Sequence, residues 1–261
     1  LARCCVAILL LAAFATAPLA AAPKPTGQPI QIGAILSITG PYAPLGEPEK
    51  NALTLAVADV NATGGINGRP LAVTILDDES KADVAQQLAT QLVGQKVAAI
   101  IGGSISPPSV AIARVANDAK ILHVFLTPTA TIWNTKNGVL PYTFEATPHN
   151  ELEVTKLFTF MKGKLKTEKL AVLHDDQLYG TQGSQVAAAE AKAQNVAIVD
   201  DETYAVAATD VTAQLQKARS SGADTILIFT AAPSAGILVR QVRQFGIKAH
   251  LIGTTGIVSD N

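Results

Sequence analysis

The sequence predicts an α/β fold of two doubly wound parallel-sheet lobes, and three observations predict it. From Ile30 onward, short β-type runs alternate with helix-type stretches. The alternation restarts after residue 146, which divides the chain into two comparable halves. The composition is 48% hydrophobic but only 5% aromatic, a palette of Ala, Val, Ile and Leu suited to buried parallel strands under Ala-rich helices. A chain of 261 residues is long enough for two such units.

In the first half, 30–36 is an apolar strand and 37–47 a loop holding Gly40, Pro41 and Gly46. Pro48 suits the first turn of a helix to about residue 62, with Leu53, Val57 and Val60 at helical spacing. Gly64-Gly65 stops that helix, and Asn67-Gly68 turns the chain into a strand at 71–76. Next come a helix at 81–95, a strand at 97–101, a helix at 107–119, a strand at 121–126 and a short strand at 141–145. In the second half, helices at 147–162, 178–194, 210–220 and 233–245 alternate with strands at 169–174, 196–201, 224–229 and 250–252. The predicted division is an export signal at 1–22, a leader at 23–29, lobe one at 30–146, lobe two at 147–253, and 254–261 as the start of a segment returning to the hinge. With no helix after the last strand to close lobe two, the sequence reads as truncated at its C-terminus. That predicts a first lobe lacking part of its covering, with poor solubility or a molten core.

Arg3, the apolar run from Val6 to Phe14 and the small residues through Ala22 carry the export-signal reading, with cleavage after Ala21. The run is too short to span a bilayer comfortably. Cys4 and Cys5 lie in the segment to be removed, so the mature chain is predicted to have no thiol, disulfide or cysteine metal site. Removing Arg3 from 20 basic residues leaves 19 against 21 acidic ones, and no basic cluster stands out. That excludes the electrostatic footprint of a nucleic-acid binder. Periplasmic localisation, no cofactor and a monomer are the expectations.

Gly102-Gly103-Ser104-Ile105-Ser106 comes after a buried strand and precedes a helix. In a doubly wound sheet, ligands bind at such carboxyl ends, where helix N-termini offer unpaired amides. Ser104, Ser106 and Ser109 read as an anion or carboxylate site, or else as helix-capping serines behind a glycine pair. A serine-nucleophile elbow fails, because Ser106 stands where the pattern needs its second glycine. Thr127-Pro128-Thr129-Ala130-Thr131 ends the next strand on the same rim. Its hydroxyls suit a polar head group or a self-capped turn equally. Neither a dinucleotide loop nor a phosphate loop is present. His123, His149, His174 and His250 share no metal-ligand spacing, and His174-Asp175-Asp176 and Asp77-Asp78-Glu79 read as solvated strand ends. No base–nucleophile pair emerges, which points away from an enzyme.

Taken together, Gly40-Pro41-Tyr42-Ala43-Pro44-Leu45-Gly46, Ala58-Asp59-Val60-Asn61-Ala62-Thr63-Gly64-Gly65-Ile66-Asn67-Gly68, Leu76-Asp77-Asp78, Gly102 with its serine turn, Thr127-Pro128 and His174-Asp175-Asp176-Gln177-Leu178-Tyr179-Gly180 carry a family likeness. From Ile30 to the end the chain resembles the Leu/Ile/Val type of periplasmic substrate-binding protein of branched-chain amino acid ABC transporters. The resemblance implies a type I fold whose chain crosses a hinge three times, the third crossing missing here. It further implies capture of a small carboxylate-bearing ligand between lobes, delivery to a membrane permease, and no catalysis. A ligand-sensing receptor domain of the same fold is the alternative. By position, Ser106 corresponds to the serine that holds the ligand carboxylate, with Ser104 on the same turn. Thr129 and Thr131 correspond to residues that bind carboxylate and ammonium, and Tyr179 to a tyrosine that closes over the ligand. Leu45 and Ala231 stand where the family has aromatic residues, and Thr255 where it has the glutamate that pairs with an ammonium. A desolvated ammonium needs a carboxylate partner, and threonine cannot supply that charge. The expected ligand therefore keeps a carboxylate but need not carry an amine; leucine-like amino acids are the runner-up to aromatic or other bulky acids.

Overall fold

The computed structural model describes residues 24–133, 140–231 and 234–257. The export-signal reading, both cysteines, the predicted start of a helix at Pro233 and the end of the 254–261 segment lie outside the described residues.

Two parallel sheets form, with helices around them. The first holds β1 (Ile30–Leu36), β2 (Leu71–Asp77), β3 (Ala99–Gly102), β4 (Leu122–Phe125) and β5 (Thr143–Glu145) in the order β2-β1-β3-β4-β5. The second holds β6 (Lys169–Asp175), β7 (Ala197–Tyr204), β8 (Thr225–Phe229) and β9 (His250–Gly253) in the order β7-β6-β8-β9. All seven pairings between named strands are parallel. The predicted fold class is therefore the observed one. In each sheet the order reverses beside the first strand, at β1/β3 and at β6/β8, and a crevice opens at the carboxyl ends of such a switch point.

The connecting helices are α1 (Ala43–Ala62), α2 (Ala82–Gly94), α3 (Ser106–Asp118), the short α4 (Ala130–Trp133), α5 (Asn150–Phe160), α6 (Leu178–Ala193), α7 (Thr212–Ser220) and α8 (Ser234–Gln244). Three differ from expectation, the short α4 having no counterpart among the predicted helices. Helix α1 begins five residues before the predicted Pro48, because Pro44 occupies its opening turn and Pro48 is absorbed inside it. Helix α5 runs on into a wider turn at Met161–Leu165 that ends on Lys166 with φ +60°.

Side-chain alternation shows why the second sheet is buried on both faces. Leu170, Val172, Leu227 and Phe229 pack with Val154 and Phe158 of α5 and Ala187 of α6. Ala171, Leu173, Ile226 and Ile228 pack on the other face with Leu215 of α7 and Leu238 of α8. Full burial of a side chain the size of Leu173 or Phe229 stabilises by about 1.5–3 kcal/mol. The first sheet is asymmetric. One face is closed by Ala85, Ala89 and Leu92 of α2 and Ile112 of α3 against Ile35 and Ile100. On the α1 side, Leu55 is 63% exposed and every residue of β2 is only half-buried.

Several residues in the sequence likeness prove to be joints of this frame. Asn61 clamps the start of β2, its Nδ2 donating to Leu71 O at 2.9 Å and its Oδ1 accepting from Leu71 N at 2.7 Å. Asn67 and Gly68, both at positive φ, turn the Ile66–Arg69 bridge as expected.

Candidate functional site

The two switch points face each other across a cavity of ≈ 180 Å³. Residues just beyond the carboxyl ends of the strands line it: Tyr42, Leu45 and Glu49 after β1, Ser104 to Pro107 after β3, and Leu126 to Pro128 after β4. Opposite them stand Asp175 at the end of β6, Gln177 and Tyr179 after it, Ala231 after β8, and Thr255 and Gly256 after β9. The two sides touch, for Tyr42, Leu45 and Ile105 pack into the hydrophobic cluster of Tyr179, Phe229 and Ala231.

The first-lobe rim is set by glycine geometry. Gly102 has φ +134°, and a Cβ there would lie 2.0 Å from Ile35 O, so only glycine lets β3 turn beside β1 at this point. The turn places Ser104 where its Oγ accepts the Ser37 N–H at 3.0 Å and donates to the Glu49 carboxylate. Ser109 does not reach the cavity; its Oγ donates to Gly103 O at 2.8 Å beneath the turn. Ser106, the first residue of α3, is 1% exposed, and its Oγ has no partner among the described residues. Pro107 and Pro108 bring no N–H to that helix start, and Ser109 N is bonded to Ile105 O. The Ser106 hydroxyl is therefore an open valence of the rim, as is that of Thr147, which lines the same cavity after β5.

Glu49 lies four residues beyond Leu45, so both side chains leave one face of α1. Gly46 lets that helix approach the end of β1; a Cβ there would lie 2.2 Å from Ser37 O. Burial pushes the Glu49 carboxyl up to about 7, against the Ser104 hydrogen bond, and Asp78 adds a smaller push the same way.

Asp175 is 1% exposed and well partnered. Its Oδ2 accepts from Thr230 Oγ1 at 2.5 Å and Ala231 N at 3.4 Å, and its Oδ1 from Gln177 N at 3.0 Å. Burial nonetheless raises its pKa, opposed first by the Thr230 bond. The Tyr179 ring lines the cavity at 4.8 Å from the Phe229 ring, while its hydroxyl donates to Thr254 Oγ1 at 3.0 Å. Thr255 donates its backbone N–H to Glu153 Oε1 at 2.5 Å. No lysine, arginine or histidine lines the cavity among the described residues.

Of the residues singled out from sequence, Leu45, Ser104, Ser106, Tyr179, Ala231 and Thr255 converge on this cavity. Thr129 and Thr131 do not line it. They meet Gln182 of α6 instead: Thr129 Oγ1 donates to Gln182 Oε1 at 3.2 Å, and Gln182 Nε2 donates to Thr131 Oγ1 at 2.6 Å. These bonds tie the rim of the first lobe to the second. The reading of Asp77-Asp78-Glu79 and His174-Asp175-Asp176 as solvated strand ends is corrected at Asp78, His174 and Asp175, all buried: Asp175 stands in the cavity wall, and the His174 ring lies against β7, its Nε2 3.0 Å from Thr203 Oγ1. Glu49 and Gln182 were missed. Glu49 had a readable signal, a carboxylate one turn beyond Leu45 on the helix after a glycine-rich loop; Gln182 had none.

Among the described residues, no group of three His, Cys, Asp or Glu is placed to hold a metal, and no helix is long and apolar enough to cross a membrane. Ser104 resembles half of a serine–carboxylate pair, but its lone pair is engaged by Ser37 N–H and it sits in the wall. The arrangement can grip a small molecule with hydroxyls, a carboxyl and apolar walls.

A family profile described as periplasmic binding protein matches residues 29–260. An amino acid binding protein of Pseudomonas aeruginosa is 29% identical over 232 residues, which are 88% of this chain and 62% of that one. The branched-chain amino acid transporter substrate-binding protein LivJ of Streptococcus pneumoniae, solved with isoleucine, superposes with TM-score 0.76 at 27% identity, over 87% of this chain and 64% of that one. A solute-binding protein of an ABC transporter from R. palustris, solved with 4-hydroxybenzoate, shares the fold with TM-score 0.79 at 24% identity, over 88% and 63% of the two chains. The chain thus spans about 62% of the length of that Pseudomonas relative. The matched family and these relatives are solute-binding proteins and not enzymes.

Proposed function

Since the chain belongs to the periplasmic binding protein family and is similar to its branched-chain amino acid type, we propose that it captures a small carboxylate-bearing solute between its two lobes for an ABC permease outside the cytoplasm. The observation that carries this is Ser106: a buried hydroxyl without a partner among the described residues, on the wall of the cavity and at the start of a 13-residue helix. An unsatisfied buried hydroxyl is costly, and a ligand carboxylate at a helix N-terminus supplies the missing acceptor.

The volume supports a compact ligand. A sealed apolar cavity of about 150 Å³ holds a benzene ring. The ≈ 180 Å³ between Leu45, Ile105, Leu126 and Ala231 suits one ring or one branched aliphatic chain bearing an acid group. Ala231 and Leu45, in place of larger aromatics, leave room for a ring. Thr255 offers a hydroxyl and no charge to an amine, which favours an acid without one. An α-amino acid is the second reading, favoured by Glu49, whose carboxylate could accept an ammonium.

Calorimetric titration of the purified chain with benzoate, 4-hydroxybenzoate, L-leucine and L-isoleucine tests the proposal. Saturable binding of at least one acid is expected, and it should weaken in Ser106→Ala. Binding to none of them, or binding that Ser106→Ala leaves intact, would remove the carboxylate assignment.

A further inference from the structure

We propose that Glu49 is a specificity residue of the cavity: it meets the ligand as the neutral acid, so the site selects an anion lacking an amine and takes up one proton with it. The inference rests on the reading that Ser106 receives the ligand's carboxylate.

The cavity wall carries two carboxyl groups, Glu49 and Asp175, and no basic side chain among the described residues. An incoming carboxylate adds a third negative charge to a wall with no basic side chain to offset it among the described residues, which favours protonation of the least firmly held carboxyl. Asp175 accepts three hydrogen bonds, from Thr230 Oγ1, Gln177 N and Ala231 N, which hold its ionised form. Glu49 accepts one described bond, from Ser104, and Ser104 stands two residues before Ser106. The weaker-held charge, beside the carboxylate's own seat, is the one that yields.

The groups facing Glu49 add to this. Beyond the end of β2 is Asp78, fully buried; β1 contributes no ionisable group; Tyr42 precedes α1, and Asp175 and Tyr179 stand across the cavity. All are acids, and burial with Asp78 already lifts Glu49 to about 7 before any ligand arrives. Ser104 donates its hydrogen to Oε2, so the added proton, drawn from solvent, belongs on Oε1. An α-amino acid would do the reverse: its ammonium needs the ionised carboxylate, and binding would release a proton.

The sign of proton exchange is the test. The purified chain is titrated with 4-hydroxybenzoate, benzoate and L-isoleucine at pH 6, 7 and 8.5, each in two buffers that hold that pH and differ in ionisation enthalpy: MES and imidazole at pH 6, phosphate and imidazole at pH 7, borate and Tris at pH 8.5. For the acids, uptake of about half a proton at pH 7 is expected, rising toward one at pH 8.5, with affinity falling about tenfold per pH unit above 7. Glu49→Gln should show equal heats in both buffers, no pH slope, and affinity at pH 8.5 about thirtyfold above the parent chain. Acid binding with buffer-independent heats and a flat pH profile removes the Glu49 assignment and leaves the Ser106 reading standing. Tight L-isoleucine binding with proton release also overturns it. Failure of both acids at pH 6 while L-isoleucine binds removes this inference alone, and failure of all three ligands removes the carboxylate reading with it. The pH series on the unaltered chain decides even where Glu49→Gln does not fold.

Discussion

Gln182→Ala should open the two lobes without disturbing the cavity wall. Gln182 sits on α6 of the second lobe, and its two described side-chain bonds both reach the first lobe, at Thr129 and Thr131. Each neutral hydrogen bond contributes about 0.5–1.5 kcal/mol net, and the opened form hydrates the freed groups, so the lower part of that range applies. Two bonds give about 1–2 kcal/mol for the closed arrangement, or about 5- to 30-fold in the closing equilibrium. A ligand that binds the closed form loses affinity by up to that factor, in proportion to the fall in the closed population of the free chain. Calorimetry measures the affinity, and small-angle scattering measures the radius of gyration of the free chain, which should increase. Thr131→Ala and the double variant complete a cycle that isolates the 2.6 Å bond. Affinity within twofold of the parent in every member, with unchanged scattering, would refute the claim that this contact holds the lobes together.

The same geometry fixes three further outcomes. Ser106→Ala should leave the free chain's urea stability unchanged or slightly raised, since it removes a buried unpartnered hydroxyl, while costing an acid ligand about 1.5–3 kcal/mol of binding; a large stability loss would show that Ser106 is structural. Gly102→Ala should destabilise by about 2 kcal/mol or more in chemical denaturation, because both the φ of +134° and the Ile35 carbonyl oppose a Cβ; a change under about 0.5 kcal/mol would contradict it. Glu49 binds its proton more tightly folded than unfolded, so its contribution is complete below about pH 4.5 and is lost as pH rises through about 7. Glu49→Gln should therefore stabilise the free chain above pH 7, by at most about 3 kcal/mol, and not below pH 4.5; parallel stability–pH curves for the two chains would exclude the shifted carboxyl.

The frame was legible because its signals are local. The alternation of 170/172 and 171/173 is a period-2 pattern that needs two covered faces, and the Ala-rich helices that cover them come next in sequence. Glycine pairs and Asn67-Gly68 marked turns because those backbone angles admit few other residues. Where expectation failed, the reason was tertiary. Pro48 looked like a helix start on propensity alone, yet Gly46 lets an earlier turn lie against Ser37 O, and that contact outweighs the missing N–H. Strand β7 extends to Tyr204, past the predicted 201, because the long β6 offers it partners through Asp175, with a register shift between Leu170 and Ala171 absorbing the extra residue.

The site divides along the same line, and the division explains why its charge logic stayed hidden. Ser104 and Ser106 were readable because a strand-end glycine pair before a helix is a position defined by chain direction alone. Whether each serine is free is not. Ser104 proves to be spent on Ser37 and Glu49, Ser109 on Gly103, and of the three only Ser106 keeps an open valence; that sorting depends on a helix that begins some sixty residues earlier. Thr255 showed in sequence that a charge is missing from the pocket, but nothing local showed the one that α1 brings back at Glu49. A restored carboxyl need not restore an ammonium site, because its state is set by what surrounds it. Half-buried beside Asp78, across the cavity from Asp175, with no cation among the described residues of the wall, it holds its proton far above the usual carboxylate range, and a neutral carboxyl is a donor to an anion and not a partner for a cation.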